Sequence, residues 1–444
     1  MSDLLAIGAT GVRAYQTALT TVGDNIANTG TAGYTRRVTN LAEVASVNGL
    51  ASKLVDGVGV TVNGVSRTGD AFRAAAVRSA GADLARTESG SVWLERIQSS
   101  LTGSALGERL TAFFGAARSL AADPTSVPQR AVMVEQAKAV AQAFAATGRQ
   151  LDASTAELDA TIQQATAQLD ALARSLAAVN EGLGRTAPGG TTAAQLADNR
   201  DQLLDQMSAI ADLGVSVDAI GRATVTLGTN GPTYVQGGSA GHVIATRAGG
   251  AVTFSLQATD GVHGFTLAGG ALAGMVEGAG RLQDARDSLD NLARDFADEI
   301  NQIQHAGRDL NGAPGTDLFT IGVPVTELTV ALTDPTTIAA AAVGAGIRDA
   351  SNLAEIENSR ASHGWETALT ALTSGNAAAL EQRKLVGEAQ SAIRDGAVAA
   401  QAAVSGVDLD QEAVDLMRFQ QAYQASSRVI QAARDIIQSI LEIR

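Results

Sequence analysis

A mainly α-helical chain with a small β insert is the fold class that three observations predict. Apolar residues recur at alternating steps of three and four near both ends and in two central stretches, the spacing of narrow stripes on long helices. Hydrophobic residues make up 45% of the 444 residues but aromatic ones only 3%, so the core must be built from Ala, Leu, Val and Ile on closely packed helices. One internal segment breaks into short alternating runs divided by Gly-rich turns. The architecture expected is an elongated helical bundle with discontinuous, nested domains, in which paired N- and C-terminal helices of coiled-coil type enclose the bundle and the bundle encloses the β insert.

Taken in order, the first helix carries Leu5, Gly8, Val12, Tyr15, Leu19, Val22 and Ile26 on one heptad seam. It is expected to end at Asn25–Asn28, because residues 28–33 are dense in turn formers. Val58, Val60 and Val62 alternate with Gly and Thr beside Asn63-Gly64, which predicts a β-hairpin near 57–65 with its turn at that dipeptide. Looser helical patterns cover about 70–121, 129–150, 194–211 and 352–404. Leu158, Ile162, Ala165, Leu169, Leu172, Leu176 and Val179 form a sharper stripe, as do Leu282, Ala285, Leu289, Leu292, Phe296, Ile300 and Ile303. Thr186–Thr192 is a Gly/Pro/Thr linker, and Leu213–Leu267 holds the short β runs. Residues 306–345 are rich in Gly, Pro and Thr and are grouped with the same insert. In the last helix Leu409, Leu416, Tyr423, Ile430 and Ile437 fall at strict sevens, with Phe419, Ala433 and Ile440 three residues after three of them. Asp408 is its expected N-cap.

Three domains follow. Residues 1–35 with 405–444 form a terminal helical assembly domain. Residues 36–190, 191–212, 272–305 and 346–404 form the helical bundle with the β-hairpin. Residues 213–271 with 306–345 form the outer β insert. The terminal seams are thin, since they include Gly8, Ala413, Gln420, Ser427 and Arg434. Both ends are therefore expected to draw their order from neighbouring copies and to be mobile in the monomer.

Chemistry is sparse. A net charge of −14, with charges dispersed, argues against a nucleic-acid partner. The absence of cysteine excludes disulfides and thiolate metal sites. No apolar stretch is long enough for membrane insertion, and the N-terminus lacks the pattern of a cleaved signal peptide. His242, His263, His305 and His363 are scattered and are read as surface or loop residues, with no pairing for acid–base work inside 213–267. Asp309-Leu-Asn311-Gly312 starts like a calcium loop but lacks the later acidic ligand and is read as an Asx turn. Asp284, Asp287, Asp290, Asp295 and Asp298 interleave with Arg281, Arg286 and Arg294 as a solvated helix face. No phosphate loop or nucleophile elbow occurs, so no catalytic residue, metal or cofactor is assigned and the chain is read as a non-enzyme.

Residues 22–38 resemble the N-terminal signature of flagellar rod, hook and hook-associated proteins, through Asn25, Ile26, Ala27, Asn28, Thr31, Gly33 and Tyr34. Asp24 and Ala32 depart from it, standing where Asn and Pro are usual. Val407–Ala413 and Phe419–Ile430 resemble the matching C-terminus, in the form nearest the hook-associated protein 1 family. Asn199-Arg-Asp-Gln-Leu-Leu204 and Asp317-Leu-Phe-Thr-Ile-Gly322 resemble internal landmarks of that family. The resemblance implies a structural, self-assembling subunit of the bacterial flagellum at the junction of hook and filament, extracellular and exported by the flagellar type III route. It implies a ring of copies, with hook protein and the third hook-associated protein as neighbours and a cytoplasmic chaperone on the C-terminal helix. The assembly seam would be Leu5, Val12, Leu19 and Ile26 with Leu409, Leu416, Phe419, Tyr423, Ile430 and Ile437. Family members often carry a further outermost domain after the position of Gly322, which this chain lacks or reduces to a loop. A hook or distal-rod subunit is the alternative within the axial proteins, disfavoured by the long central helices. An enzymatic or adhesive β insert is the alternative of another class.

Overall fold

The computed structural model describes residues 2–44, 59–228 and 230–442. Helix α1 (Ser2–Ala27) leads into an antiparallel pair, β1 (Arg37–Glu43) and β2 (Val60–Arg67). The Asn63-Gly64 dipeptide lies inside β2 rather than at a hairpin turn. Asn40 opposes Gly64 and Leu41 opposes Val62, so Asn63 is the extra residue of a bulge. Gly64, at φ +128°, lets Gly189 of the 186–190 linker approach: a Cβ there would stand 3.1 Å from the Gly189 backbone. Val58 of the predicted hairpin lies outside the described residues.

The bundle consists of α2 (Ala71–Gly103), α3 (Leu106–Ala122), α4 (Val127–Arg185), α5 (Thr191–Ile210), α6 (Gly270–Ala306), α7 (Ser351–His363) and α8 (Trp365–Ser405), with α9 (Leu409–Glu442) closing the chain. Two patterns read as single stretches are each divided by one left-handed residue, Ala105 at φ 52° and Gly364 at φ 62°. Conversely, the patterns at 129–150 and 158–179 fuse into α4, whose 59 residues span roughly 90 Å at ~1.5 Å per residue.

The aromatic residues, though few, are concentrated. Phe113, Phe114, Phe144, Phe296, Phe319 and Trp365 meet at ring-centroid distances of 5.3–6.2 Å and join α3, α4, α6 and α8. Further along, α2 and α6 approach closely through small residues. A Cβ on Gly274 would lie 2.2 Å from the Arg86 carbonyl oxygen, and one on Gly278 would lie 2.6 Å from the Trp93 ring. Glu277, between them on α6, accepts hydrogen bonds from Arg86 of α2 and Arg383 of α8. Burial opposes ionisation of Glu277, but the two arginines hold its carboxyl below the ordinary value. The acidic face of α6 is only partly solvated, since Asp295 accepts the Trp365 indole N–H at 2.7 Å.

Strands β3 (Leu213–Val217), β4 (Ala223–Leu227), β5 (Thr233–Gln236) and β6 (Ser239–Ala240) form one antiparallel sheet. A second is built from β7 (His242–Ala248), β8 (Ala251–Ala258) and β9 (Gly261–Phe265). Both sheets are fastened to the C-terminal half of α4. The buried Asn180 side chain donates to the carbonyls of Ala223 and Gly237 and accepts from the Ala223 amide. Asp170 accepts from Tyr234 Oη at 2.8 Å and from the Val243 amide, and its second oxygen contacts His242 Nδ1 at 2.5 Å. His242 thus has an acidic partner from outside the β segment, which a reading of residues 213–267 alone could not find.

Composition groups the segment 306–345 with this insert, but it packs elsewhere. Its pairs, β10 (Gly307–Arg308) with β13 (Ala341–Ala342) and β11 (Phe319–Thr320) with β12 (Thr329–Val330), lie against α6 and the N-terminal half of α4. Fully buried Arg130 of α4 donates to the Ile338 carbonyl at 2.6 Å, and Phe319 enters the aromatic cluster. Asp309 makes the expected Asx turn, accepting from the amides of Asn311 and Ala313. His263 and His305 lie beside Asp260 and Asp317, and His363 stacks on Trp365. Among the described residues no helix is long and apolar enough to cross a membrane.

Candidate functional site

The two ends of the chain meet as an antiparallel pair. Asn25 of α1 contacts Glu412 of α9, while Gly8 faces Ile430 and Gly11 faces Ser426. A Cβ on either glycine would come within 2.6 Å of its partner's side chain, so the pair is closer than larger residues permit. The buried residues of α1 are accordingly Gly8, Gly11, Ala14, Ala18, Val22 and Asn25, with Thr21 buried on the side of β1. Of the residues predicted for this seam, Leu5, Val12 and Leu19 flank the contact half-buried and Ile26 is exposed. The shift has two causes: small residues win the line of closest approach, and β1 covers an adjacent face, with Thr39 donating to Thr21 Oγ1 at 2.8 Å.

On α9 the predicted Leu416, Phe419, Tyr423 and Ile430 are half-buried toward α1. Only Glu412 and Ala433 are fully buried. Leu409 and Ile437 are exposed, against expectation. Leu409 precedes the first contact with α1. Beyond the Gly8–Ile430 contact α1 has only residues 2–7, so it runs out before Ile437, Ile440 and Leu441 are reached.

The polar centre of the pair lies in the turn after α1. Asn25 uses its whole amide. Its Oδ1 accepts from Tyr34 Oη at 2.8 Å and the Arg37 amide at 3.0 Å, and its Nδ2 donates to the Arg37 carbonyl at 2.9 Å and Glu412 Oε2 at 3.0 Å. Asn28 closes the turn, donating to the Asp24 carbonyl and accepting from Thr31 Oγ1. Ile26 and Ala27, the other signature residues of the helix end, are exposed. Gly33 sits at φ +75°, and a Cβ there would overlap Gln202, whose amide donates to the Ala32 carbonyl at 2.7 Å.

Around this centre runs a charge network. Arg36 Nε donates to Glu412 Oε1 at 2.6 Å and Arg36 also reaches Asp415 at 3.3 Å. Arg37 lies over the Tyr34 ring at 4.8 Å and donates to Asp198 of α5 at 3.0 Å. Arg67 of β2 contacts Asp198 at 2.8 Å and Asp201 at 2.7 Å. Burial pushes the Tyr34 phenol above its ordinary value; Arg37 opposes this, while Asp24, Asp198 and Glu412 add to it. Tyr34 is therefore a neutral hydrogen-bond donor. The network offers no exposed nucleophile or base. What it can do is hold α1, β1, β2, α5 and α9 in one arrangement.

Apart from Arg67 of β2 and Asp415 of α9, the partners lie in or beside stretches singled out from sequence. Asn25–Arg37 is the N-terminal signature, Asp198–Gln202 overlaps the Asn199–Leu204 landmark, and Glu412 belongs to Val407–Ala413. The arginines and carboxylates themselves were missed. Pairs such as Arg36–Glu412, 376 residues apart, leave no local spacing to read.

Residues 93–319, just over half of the chain, match the model of the flagellar hook-associated protein FlgK helical domain. The chain belongs to the FlgK family. Residues 400–443 also match the flagellar basal body rod FlgEFG protein C-terminal model, which places α9 and Glu412 in a segment type shared with rod proteins. Among individual relatives, flagellar hook-associated protein 1 of Salmonella typhimurium is 29% identical over 337 residues, covering 73% of this chain and 60% of that protein. The Escherichia coli K12 protein of the same name is 29% identical, with coverages of 79% and 65%. The Bacillus subtilis one is 24% identical over nearly the full length of both, 96% and 95%. The chain thus spans less than two thirds of the two enteric relatives and nearly all of the Bacillus one. In fold it is similar to the flagellar hook junction protein FlgK from Burkholderia pseudomallei, with a TM-score of 0.50 and 20% identity over 55% of this chain and 46% of that one.

Proposed function

We propose that this FlgK-family chain is a structural, non-enzymatic subunit of the flagellum that self-assembles as the junction between hook and filament. The observation that carries the reading is the clasp, in which the segments resembling the axial-protein signatures at both termini converge on Asn25 and Glu412. A second observation supports it. Large exposed apolar residues concentrate on the paired ends and the helix leading to them: Ile7 on α1, Ile393 and Val404 on α8, and Met417, Ile436 and Leu441 on α9. Surface of this kind suits burial against other copies. The terminal pair would line the inner tube, the bundle would form its wall and the two β sheets would face outward.

Hook protein and the third hook-associated protein would flank a ring of these subunits. Export would follow the flagellar type III route, with a cytoplasmic chaperone covering Leu416, Phe419, Tyr423 and Ile430 beforehand. A peptide of residues 405–444 should then capture the chaperone, and a peptide that binds none removes that part of the reading. The junction role is tested by deleting the gene and imaging the flagella. Hooks without filaments, with flagellin shed into the medium, are expected. Missing hooks would point to a rod or hook subunit, and normal filaments would overturn the axial reading.

A further inference from the structure

The seam of α9 repeats itself. Leu409, Leu416, Tyr423, Ile430 and Ile437 recur every seven residues, and the companion position carries Glu412, Phe419, Ser426, Ala433 and Ile440. Against these, α1 presents Gly8, Gly11, Ala14 and Ala18, a smooth face of small residues. Sliding α9 by one heptad, roughly 10 Å, would set Ile437 opposite Gly8 in place of Ile430, and Ala433 opposite Gly11 in place of Ser426. Apolar or small side chains replace others of their kind, so this part of the seam tells the two registers apart only weakly.

Glu412 tells them apart most sharply, beside the lesser losses of the Arg36–Asp415 contact at 3.3 Å and the Tyr15–Phe419 ring contact at 6.4 Å. In the slipped register Phe419 would stand where Glu412 stands, and the Asn25 Nδ2–H and the Arg36 guanidinium would face an aromatic ring instead of a carboxylate. Glu412 is fully buried, and its two oxygens are divided between these two donors at 2.6 and 3.0 Å. Losing a buried charged acceptor strands both donors. We infer that Glu412 is the register-setting residue of the α1–α9 pair, a positioning residue that fixes how far α9 extends past α1. Under the assembly reading proposed above, it also fixes how much of the apolar end, Ile437, Ile440 and Leu441, is offered to a neighbouring subunit.

The absence of cysteine makes a direct test possible in the full chain, and because the structure pairs the two ends within one chain, the measurement on dilute monomer is made without the neighbouring copies from which the sequence expects the ends to take their order. Gly11→Cys is combined with Ser426→Cys to report the native register, or with Ala433→Cys to report the slipped one. The Gly11 Cβ position lies 3.1 Å from Ser426 Cβ, close enough for a disulfide after a small adjustment. With Glu412 present, the 11–426 pair should close on mild oxidation and the 11–433 pair should not. Glu412→Leu should raise 11–433 closure relative to 11–426 by roughly tenfold or more, the scale of one lost charged hydrogen bond. Arg36→Gln leaves α9 unchanged and should move the ratio the same way, and further than Asp415→Asn does, since Arg36 also reaches Asp415 at 3.3 Å; it covers the case in which Glu412→Leu fails to fold. An unchanged ratio in both variants overturns the inference. Loss of both cross-links also overturns it, because Glu412 would then be needed for docking itself.

Discussion

At the scale of single residues, Asn25 and Glu412 show how a few polar atoms can hold a contact that apolar burial secures only weakly. Asn25 makes four hydrogen bonds within one buried site, so truncation leaves donors and acceptors unmet. Asn25→Ala should cost about 2 kcal/mol, read as faster hydrogen exchange across the first turns of α9. Asn25→Asp is a sharper probe. It replaces a donor 3.0 Å from Glu412 Oε2 with a second carboxylate. Like charges at that distance cannot both stay ionised comfortably, so one of the pair should titrate above the ordinary carboxylate range. A group with a raised folded-state value gains stability as pH falls through that value. The deficit of Asn25→Asp relative to the parent should therefore be larger at pH 7 than near pH 5, as seen by denaturant unfolding at the two values. The identity of Asn25 as a signature residue was legible in the sequence. Its chemistry was not, because its partners Arg37, Tyr34 and Glu412 come together only when the chain ends pair.

At the scale of elements, close helix packing is bought with glycine. Gly274→Ala would drive a methyl group against the Arg86 carbonyl, where backbone cannot step aside as a flexible side chain could. About 2 kcal/mol of destabilisation is expected, measurable as a lowered denaturant midpoint. The neighbouring clamp has a pH signature. The Glu277 carboxyl is held below its ordinary value, so its contribution is present above the unfolded-state value and lost as pH falls through the folded one. Glu277→Gln should lower stability by about 1 kcal/mol at pH 7, since the site is partly open to solvent, and by almost nothing once the carboxyl is protonated. Helices were the most legible elements, because the sharp stripes of α4 and α6 report burial directly. Breaks at Ala105 and Gly364, and the fusion of two patterns into α4, were not legible, since a single left-handed residue or a few weakly patterned turns barely alter the periodicity. The α1 seam keeps Gly8 and Val22 of the predicted stripe but shifts by one position elsewhere, because hydrophobicity favours Val12, Leu19 and Ile26 whereas closeness favours Gly11, Ala18 and Asn25.

At the scale of the whole molecule, the aromatic cluster is the meeting point of the bundle. Phe296 touches Phe113, Phe114, Phe144, Phe319 and Trp365. Phe296→Ala should cost about 4 kcal/mol and lower the midpoint of the bundle's unfolding transition. It should leave the exchange rates of α1 and α9 near those of the parent, as the clasp is made from other residues. Composition placed the burden of the core on aliphatic residues and could not foresee that five of nine phenylalanines would gather at one point. The clasp also has a bearing on size. Because the chain departs from and returns to the same place, everything between Arg37 and Ser405 is a closed excursion whose length does not alter the spacing of its ends. The short turn between β11 and β12, with Val323 almost wholly exposed, is far along that excursion in sequence and is held by local contacts. Material could be added or removed there while the joined ends keep their geometry, so relatives of very different length could present the same interlocking part to a shared lattice.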